Sequence, residues 1–386
     1  MYLVALQMLI NDKAKFVGIL LGVTLASLVI TQQSSIFVGI MTRAYSAISD
    51  IPAADVWVMD PKVQYIDDTK PMAATELNRV RGVEGVAWAV PLYKGIIRAR
   101  LENGQFQNCN VFGIDDATLV AGPIRMVHGR LEDLRRDDAV IVDRFAANTR
   151  LARPPTEPGG KPRPLAVGDT LELNDHRAVV VGICDITRTF QNLPTIFTTY
   201  SRATTFAPRE RKLLSFVLVK AAEGVDPGEL CATITRHTGL GAYTADQFRW
   251  ATVLYFLRNT GIPINFGIAI ALGFFIGTAI TGFMFYNFTL DNLKYFAAFK
   301  AMGATDSTLL GMILLQALTV AVLGFGLGSG LVSWFGASMQ GTALAFRLIW
   351  QTLLIAGAAV VVISMLAAIL ACHKVVRLEP ATVFKG

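Results

Sequence analysis

From Phe16 to Met41 the chain reads FVGILLGVTLASLVITQQSSIFVGIM, without one charged side chain. Such a stretch has few folded destinations. In lipid a helix satisfies all its own backbone hydrogen bonds, and one of this length crosses a hydrocarbon core of about 30 Å. Lys13 and Lys15 precede the run as they would precede a cleaved signal peptide. The apolar stretch outlasts an ordinary h-region, however, and no small-x-small cleavage site closes it. Three more runs free of Asp, Glu, Lys and Arg follow: Ile264–Phe288, Leu309–Phe335 and Leu348–Cys372. Four membrane-spanning helices are therefore expected, at 16–41, 264–288, 309–335 and 348–372.

Composition agrees with a membrane as part of the solvent: 53% of residues are hydrophobic and 17% charged, with a mean hydropathy of +0.47. A formal net charge of +6 does not make a nucleic-acid binder, because charges of both signs are interspersed and no basic stripe with stacking groups emerges.

Residues 42–260 differ from the rest, holding most of the charges and prolines. Short apolar runs such as DVWVMD, AVIVDR, AVVVGI and SFVLVK read as strands. A folded aqueous domain inserted between the first and second spans is expected. It divides into one lobe at about 50–100 plus 207–250, with paired strand-helix halves, and a strand-rich insert at about 101–206. Asp226, Pro227 and Glu229 carry the signs of a capped helix start, while RPPTEPGGKPRP (Arg153–Pro164) reads as a surface loop.

An even number of crossings puts both termini on one side, and Lys13, Lys15, Lys374, Arg377 and Lys385 make that side the cytoplasm. The amphipathic segment 1–15, the loop 289–306 and the tail 373–386 are then cytoplasmic, whereas 42–260 and the short loop 336–347 face outward.

Signatures for chemistry are weak. GGK at Gly159–Lys161 lacks the strand-turn-helix setting of a phosphate loop, and the four histidines have no metal-binding spacing. Cys109, Cys184, Cys231 and Cys372 include no close pair, and their disulfide status is open. The spans lack the ionisable groups that ion-coupled transporters use. Their polar residues, among them Thr24, Ser27, Thr31, Thr278, Thr281 and Gln316, read mostly as hydrogen-bond partners between helices. Any work the protein does is thus powered from outside the membrane plane.

Two constellations remain. Gly18 with Gly22 and Gly273 with Gly277 form GxxxG pairs, and GFGLGSG at Gly324–Gly330 places Gly324 and Gly328 four apart, the spacing of close helix packing. The stretch LKYFAAFKAMGATDST, Leu293–Thr308, puts Asp291, Lys294, Ala298, Ala301 and Thr305 on one helical stripe. Tyr295, Phe296, Phe299 and Met302 form a broad aromatic and thioether face beside it, until Gly303 stops the helix. A partner-docking face and a helix resting on lipid headgroups would use the same residues.

YFAAFKAMGATDSTLLGMILLQAL resembles the segment after the second span in permeases of the MacB/FtsX/LolC superfamily, with DevC-type exporter permeases as the nearest subgroup. ALQMLINDKAKFVGILLGV, ADVWVMD, FGIDD, HGR, AVIVDR, VGDTLEL, VVGI and VVRLEPATVF, in that order, extend the resemblance over nearly the whole chain. It implies an integral membrane α-helical protein with four transmembrane helices and a large α+β periplasmic domain of porter and sabre-like lobes, in the bacterial inner (plasma) membrane. It further implies two permease copies driven by separate cytoplasmic ABC ATPase subunits, which hold the ATP and Mg2+; the permease is not itself an enzyme and binds no cofactor or metal. A coupling helix, here Asp291, Lys294, Tyr295, Phe296, Phe299, Lys300, Met302 and Gly303, would pass ATPase motion outward, in concert with a periplasmic adaptor (membrane fusion protein) and an outer-membrane channel. Where many relatives carry an Arg-Glu pair this chain has Asp291-Asn292-Leu293-Lys294. A regulatory scaffold like FtsX and lipoprotein release as in LolC-like proteins are the alternative readings, and the residues do not name a cargo.

Overall fold

A computed structural model of the chain describes residues 2–155, 160–208, 214–339 and 342–376. Arg377, Glu379 and Lys385, most of VVRLEPATVF, and Gly159 of GGK lie outside the described residues. The chain divides into two compact units, Met1–Ile40 with Gly261–Gly386, and Met41–Thr260.

The helical unit opens with α1 (Tyr2–Asn11) and α2 (Lys13–Ala44). Among the described residues four helices are long and apolar enough to cross a membrane: α2 and, later in the chain, those at Ile262–Asp291, Asp306–Ser338 and Trp350–Cys372. The segment 1–15 is mostly the helix α1, whose Ala5 and Leu9 are fully buried in an apolar cluster with Phe288, Met312 and Ala317. Gln316 secures it, its buried Nε2 donating to Ala5 O at 2.7 Å.

The second unit holds, in chain order, α3 (Ser46–Ser49), β1 (Val56–Met59), α4 (Thr75–Arg81), β2 (Val86–Arg100), β3 (Phe106–Ile114), β4 (Met126–His128), β5 (Ala139–Asp143), α5 (Arg144–Asn148), β6 (Thr170–Leu173), β7 (His176–Cys184), β8 (Thr195–Thr199), α6 (Tyr200–Phe206), β9 (Phe216–Ala221), α7 (Pro227–Thr238), β10 (Gly241–Thr244) and α8 (Ala245–Asn259). Among the described residues ten strands form a mixed sheet in the order β10-β1-β9-β2-β3-β8-β5-β7-β4, with β6 beside β2 and β7. The β3–β8 and β5–β7 pairs are parallel. This is an α+β domain inserted between the first and second spans.

β1 shows why its sequence is apolar on both faces. Val56 and Val58 pack with Val80 of α4 and Leu230 and Ile234 of α7. Trp57 and Met59 point into a separate cluster with Phe216 and Phe248, where Trp57 meets the Phe216 ring edge-on at 5.6 Å. A strand covered by helices on both sides has no solvent face and need not alternate.

The insert does not begin where β2 ends. Val86–Leu92 of β2 pair with β9, and Tyr93–Arg100 of the same strand pair with β3, so the seam between the two parts of the sheet lies inside one strand. At α7 the Asp226 carboxylate accepts the Glu229 N–H at 3.0 Å, with Pro227 in the first turn and Gly239 ending the helix at φ +74°. The proline-rich stretch is pinned at its ends by a bridge between Arg153 and Arg163.

The helical unit resumes with α9 (Ile262–Asp291), α10 (Leu293–Ala301), α11 (Asp306–Ser338) and α12 (Trp350–Val376). The third span therefore runs past Phe335 into the stretch expected to be loop.

Candidate functional site

α10 is joined to its neighbours by turns that leave little slack. Asn292 ends α9, its buried side chain donating to Phe288 O at 2.8 Å, while its own carbonyl accepts the Tyr295 N–H at 3.0 Å. At the far end Ala304 N–H donates to Phe299 O at 3.0 Å and Gly303 N–H to Lys300 O at 3.1 Å. That pair of bonds is a Schellman motif, which requires a left-handed residue. Gly303 has φ +96° with open space where a Cβ would sit, so conformation and not crowding demands glycine here. Thr305 then caps α11, accepting the Thr308 N–H.

The expected aromatic face is divided. Tyr295 and Met302 are 59% and 67% exposed, whereas Phe296 and Ala297 are fully buried. Phe299 lies between, half-buried against the same apolar cluster. The reason is angular. At about 100° per residue, Tyr295 and Met302 fall on nearly one line and Phe299 about 40° away, but Phe296 is a quarter-turn round. Phe296 is thus an anchor within the helical unit and is withdrawn from any docking face, contrary to the sequence expectation.

The charged candidates divide as well. Asp291 is ion-paired with Lys15 of α2, which also holds Asp12 at 2.9 Å. Lys300 reaches Asp306 at 2.9 Å and ties α10 to α11. Lys294 is exposed beside Tyr295. Lys294, Tyr295, Met302 and Gly303 are thus exposed on or just after α10, Asp291 is exposed while paired with Lys15, and Lys300 is partly buried against Asp306.

The glycines expected at helix contacts all face α2 or lie on it. A Cβ built on Gly18 would stand 3.2 Å from Met284 Sδ, on Gly22 2.9 Å from Ile280, on Gly273 2.8 Å from Val29, and on Gly324 or Gly328 2.6 Å from Val23 or Ser27. Gly277 meets Ala26 more closely still. Gly326 and Gly330 have open space, so only the i, i+4 half of GFGLGSG packs. Sequence reasoning missed Gly336, where Phe346 fills the place of a side chain; extending the row Gly324, Gly328 by two further steps of four would have found it. Among the polar span residues, Gln316 bonds between helices and Ser27 donates to Phe325 O at 3.4 Å. Thr278 instead donates to Phe274 O in its own helix.

In the α+β domain two shifted carboxylates hold backbone N–H groups. Asp143 caps α5 through Ala146 N at 2.8 Å and accepts Thr195 N–H at 2.7 Å; burial nonetheless pushes its carboxyl above the ordinary range. Burial also raises Asp50, which holds the Thr187 backbone and hydroxyl at 3.0 Å. Cys109, Cys184, Cys231 and Cys372 are free thiols. Burial pushes Cys109 up to about 12 and Cys231 to about 11, far from the reactive thiolate range.

The MacB-like periplasmic core domain family matches residues 16–237, and the FtsX-like permease C-terminal family matches residues 267–380. Uncharacterized ABC transporter permeases from two strains of Mycobacterium tuberculosis are 25% identical over 325 residues, covering 82% of this chain and 80% of theirs. Among solved structures, the periplasmic region of MacB from Actinobacillus actinomycetemcomitans aligns at 14% identity and TM-score 0.36, over 55% of this chain and 96% of that one. The extracellular domain of the noncanonic ABC-type transporter YknZ from Gram-positive bacteria aligns at 14% identity and TM-score 0.35, over 50% and 98%. With four apolar spans, an α+β domain between the first two, and both family regions in order, the chain belongs to the MacB/FtsX family of ABC transporter permeases.

Proposed function

We propose that this permease is the transmembrane subunit of an ATP-driven exporter in a bacterial inner membrane, docked through α10 on a separate cytoplasmic ATPase. Both termini and α10 lie on the cytoplasmic side, and the α+β domain lies on the periplasmic side. ATP and Mg2+ are held by the ATPase, whose closure moves the spans and through them the periplasmic domain. Two copies of the chain assemble, and a periplasmic adaptor with an outer-membrane channel, as in DevC-type systems, receives the motion.

The observation that best supports this reading is the division of α10: Phe296 and Ala297 are sunk in the apolar core while Tyr295 and Met302 stand exposed. An aromatic and a thioether side chain on a rigidly mounted helix make the kind of anchor on which partner interfaces depend. A helix merely resting on headgroups needs no such mount.

The test is co-purification of the full chain in mild detergent, with mass spectrometry of its companions. The wild type should bring down an ABC ATPase, and Tyr295→Asp or Met302→Asp should cut that recovery at least tenfold, because burying an unpaired charge in an interface is costly. Undiminished recovery would overturn the docking assignment. An adaptor in the complex supports export; a cell-wall hydrolase in its place would favour the FtsX-like scaffold.

A further inference from the structure

α1 has no charged side chain between Tyr2 and Asn11, and its 10 residues make a helix about 15 Å long, too short to cross a hydrocarbon core. Contacts within the helical unit fix its level. Gly324 of α11 stands against Val23 of α2, and Gly328 against Ser27, so these two spans run side by side in one register. Carried back toward their starts, that register sets Lys15 level with Gln316. Gln316 is also the residue whose side chain donates to Ala5 O. Ala5 and Lys15 thus lie at one level, although most of α1 and the turn after it separate them. α1 therefore runs across the spans and not along them.

That level is inside the apolar stretch of α11. Gln316 lies about 10 Å along the helix axis from Leu309, where the chargeless run begins. Leu310, Leu314 and Leu318 are exposed around it. On a span such leucines face acyl chains, so the lipid surface of α11 continues at the depth of α1.

α1 itself is sorted three ways. At about 100° per residue, Ala5 and Leu9 fall near one line, Leu3 and Ile10 near a second, and Gln7 and Asn11 near a third beside it. The first line is buried in the core cluster of the unit. Leu3 is 77% and Ile10 55% exposed, and Val4, beyond the polar line, is less exposed than either. Gln7 and Asn11 are exposed as well. Protein, apolar and polar surroundings are each suited by one strip of the helix, as in helices that lie at a membrane interface. Because α1 carries no charge, Leu3 and Ile10 suit acyl chains and not anionic headgroups.

We propose that α1 lies in the plane of the membrane, in the leaflet at the α10 end of the spans, with Leu3 and Ile10 among phospholipid acyl chains and Gln7 and Asn11 toward water. The inference holds whichever compartment that leaflet faces and whether or not α10 docks an ATPase.

The test uses the full chain reconstituted alone in phosphatidylcholine vesicles. A nitroxide is attached to Leu3→Cys, Ile10→Cys or Gln7→Cys in a Cys372→Ala background, since Cys109, Cys184 and Cys231 are buried. Collisions of the label with oxygen, which partitions into lipid, are compared with those of a water-soluble nickel chelate. The oxygen-to-nickel ratio should be roughly tenfold higher at Leu3 and Ile10 than at Gln7. Nickel access at Leu3 and Ile10 equal to that at Gln7 would put the helix in water, and exclusion of both reagents would put a second copy of the chain over it; either result overturns the proposal. If Ile10→Cys disturbs the corner between α1 and α2, Leu3→Cys carries the test alone.

Discussion

The two units of this permease are organised by opposite rules. In the α+β domain the apolar side chains are inside, and the large exposed ones are scattered, such as Phe106, Ile124 and Trp250. In the helical unit large apolar side chains cover the outside: Phe275, Phe283, Leu327, Trp334 and Ile355 are all about half exposed or more. Where α2 meets α9 and α11 its contacts also admit small residues, with Gly22, Gly273, Gly277, Gly324 and Gly328 set against Ile280, Val29, Ala26, Val23 and Ser27. Water sorts residues by polarity, but lipid is as apolar as leucine, so contacts between spans are sorted by size. Hydrophobicity therefore locates a span and says little about which of its faces is inward.

The largest test of this contrast is in the α+β core. Trp57→Ala, which empties a fully buried site, should cost about 3–5 kcal/mol. Phe275→Ala, on a span face 66% exposed, should change stability by less than about 0.5 kcal/mol. Hydrogen exchange of the full chain in detergent, read separately in β1 and α9, checks both; equal losses would erase the distinction.

Within the helical unit, Gly277→Leu should cost about 1–3 kcal/mol by overpacking against Ala26. Gly326→Leu, facing open space, should be silent. Monodispersity in mild detergent together with exchange along α2 would separate them, and a silent Gly277→Leu would mean that size does not govern this contact.

The smallest effect concerns charge, which only the α+β domain buries in quantity. Because burial raises the Asp143 carboxyl in the folded state, the native form binds its proton more tightly than the unfolded one. Its contribution is fully present below the unfolded carboxylate value, about pH 4, and is lost as pH rises through the higher folded value. Asp143→Asn should flatten that part of the stability profile, measured as the thermal midpoint against pH; an unaltered slope would show that the Ala146 and Thr195 N–H groups compensate fully for burial.

The legibility of the chain follows the same division. Runs without charge are visible in sequence because a spanning helix excludes charge along its whole length. Gly324 and Gly328 are visible because an i, i+4 row is a local pattern. The inward turn of Phe296 is not, since helix periodicity gives the angles between side chains but not the direction of the core. Nor is the pairing of Lys15 with Asp291, which are 276 residues apart. In the α+β domain the strands DVWVMD and AVIVDR could be read, but Asp50 and Thr187 carry no local sign of their contact, because the end of α3 and the β7–β8 connection come together only in the tertiary fold.

One consequence of β2 concerns how the domain comes apart. Its first half is laddered to β9 and its second to β3, so neither half of the sheet can lose its order without freeing an edge of the other. The shared strand ties the two halves together, and a single melting transition of the domain is the expected outcome. Disorder begun in one half is then expected to reach the other through the β2 backbone.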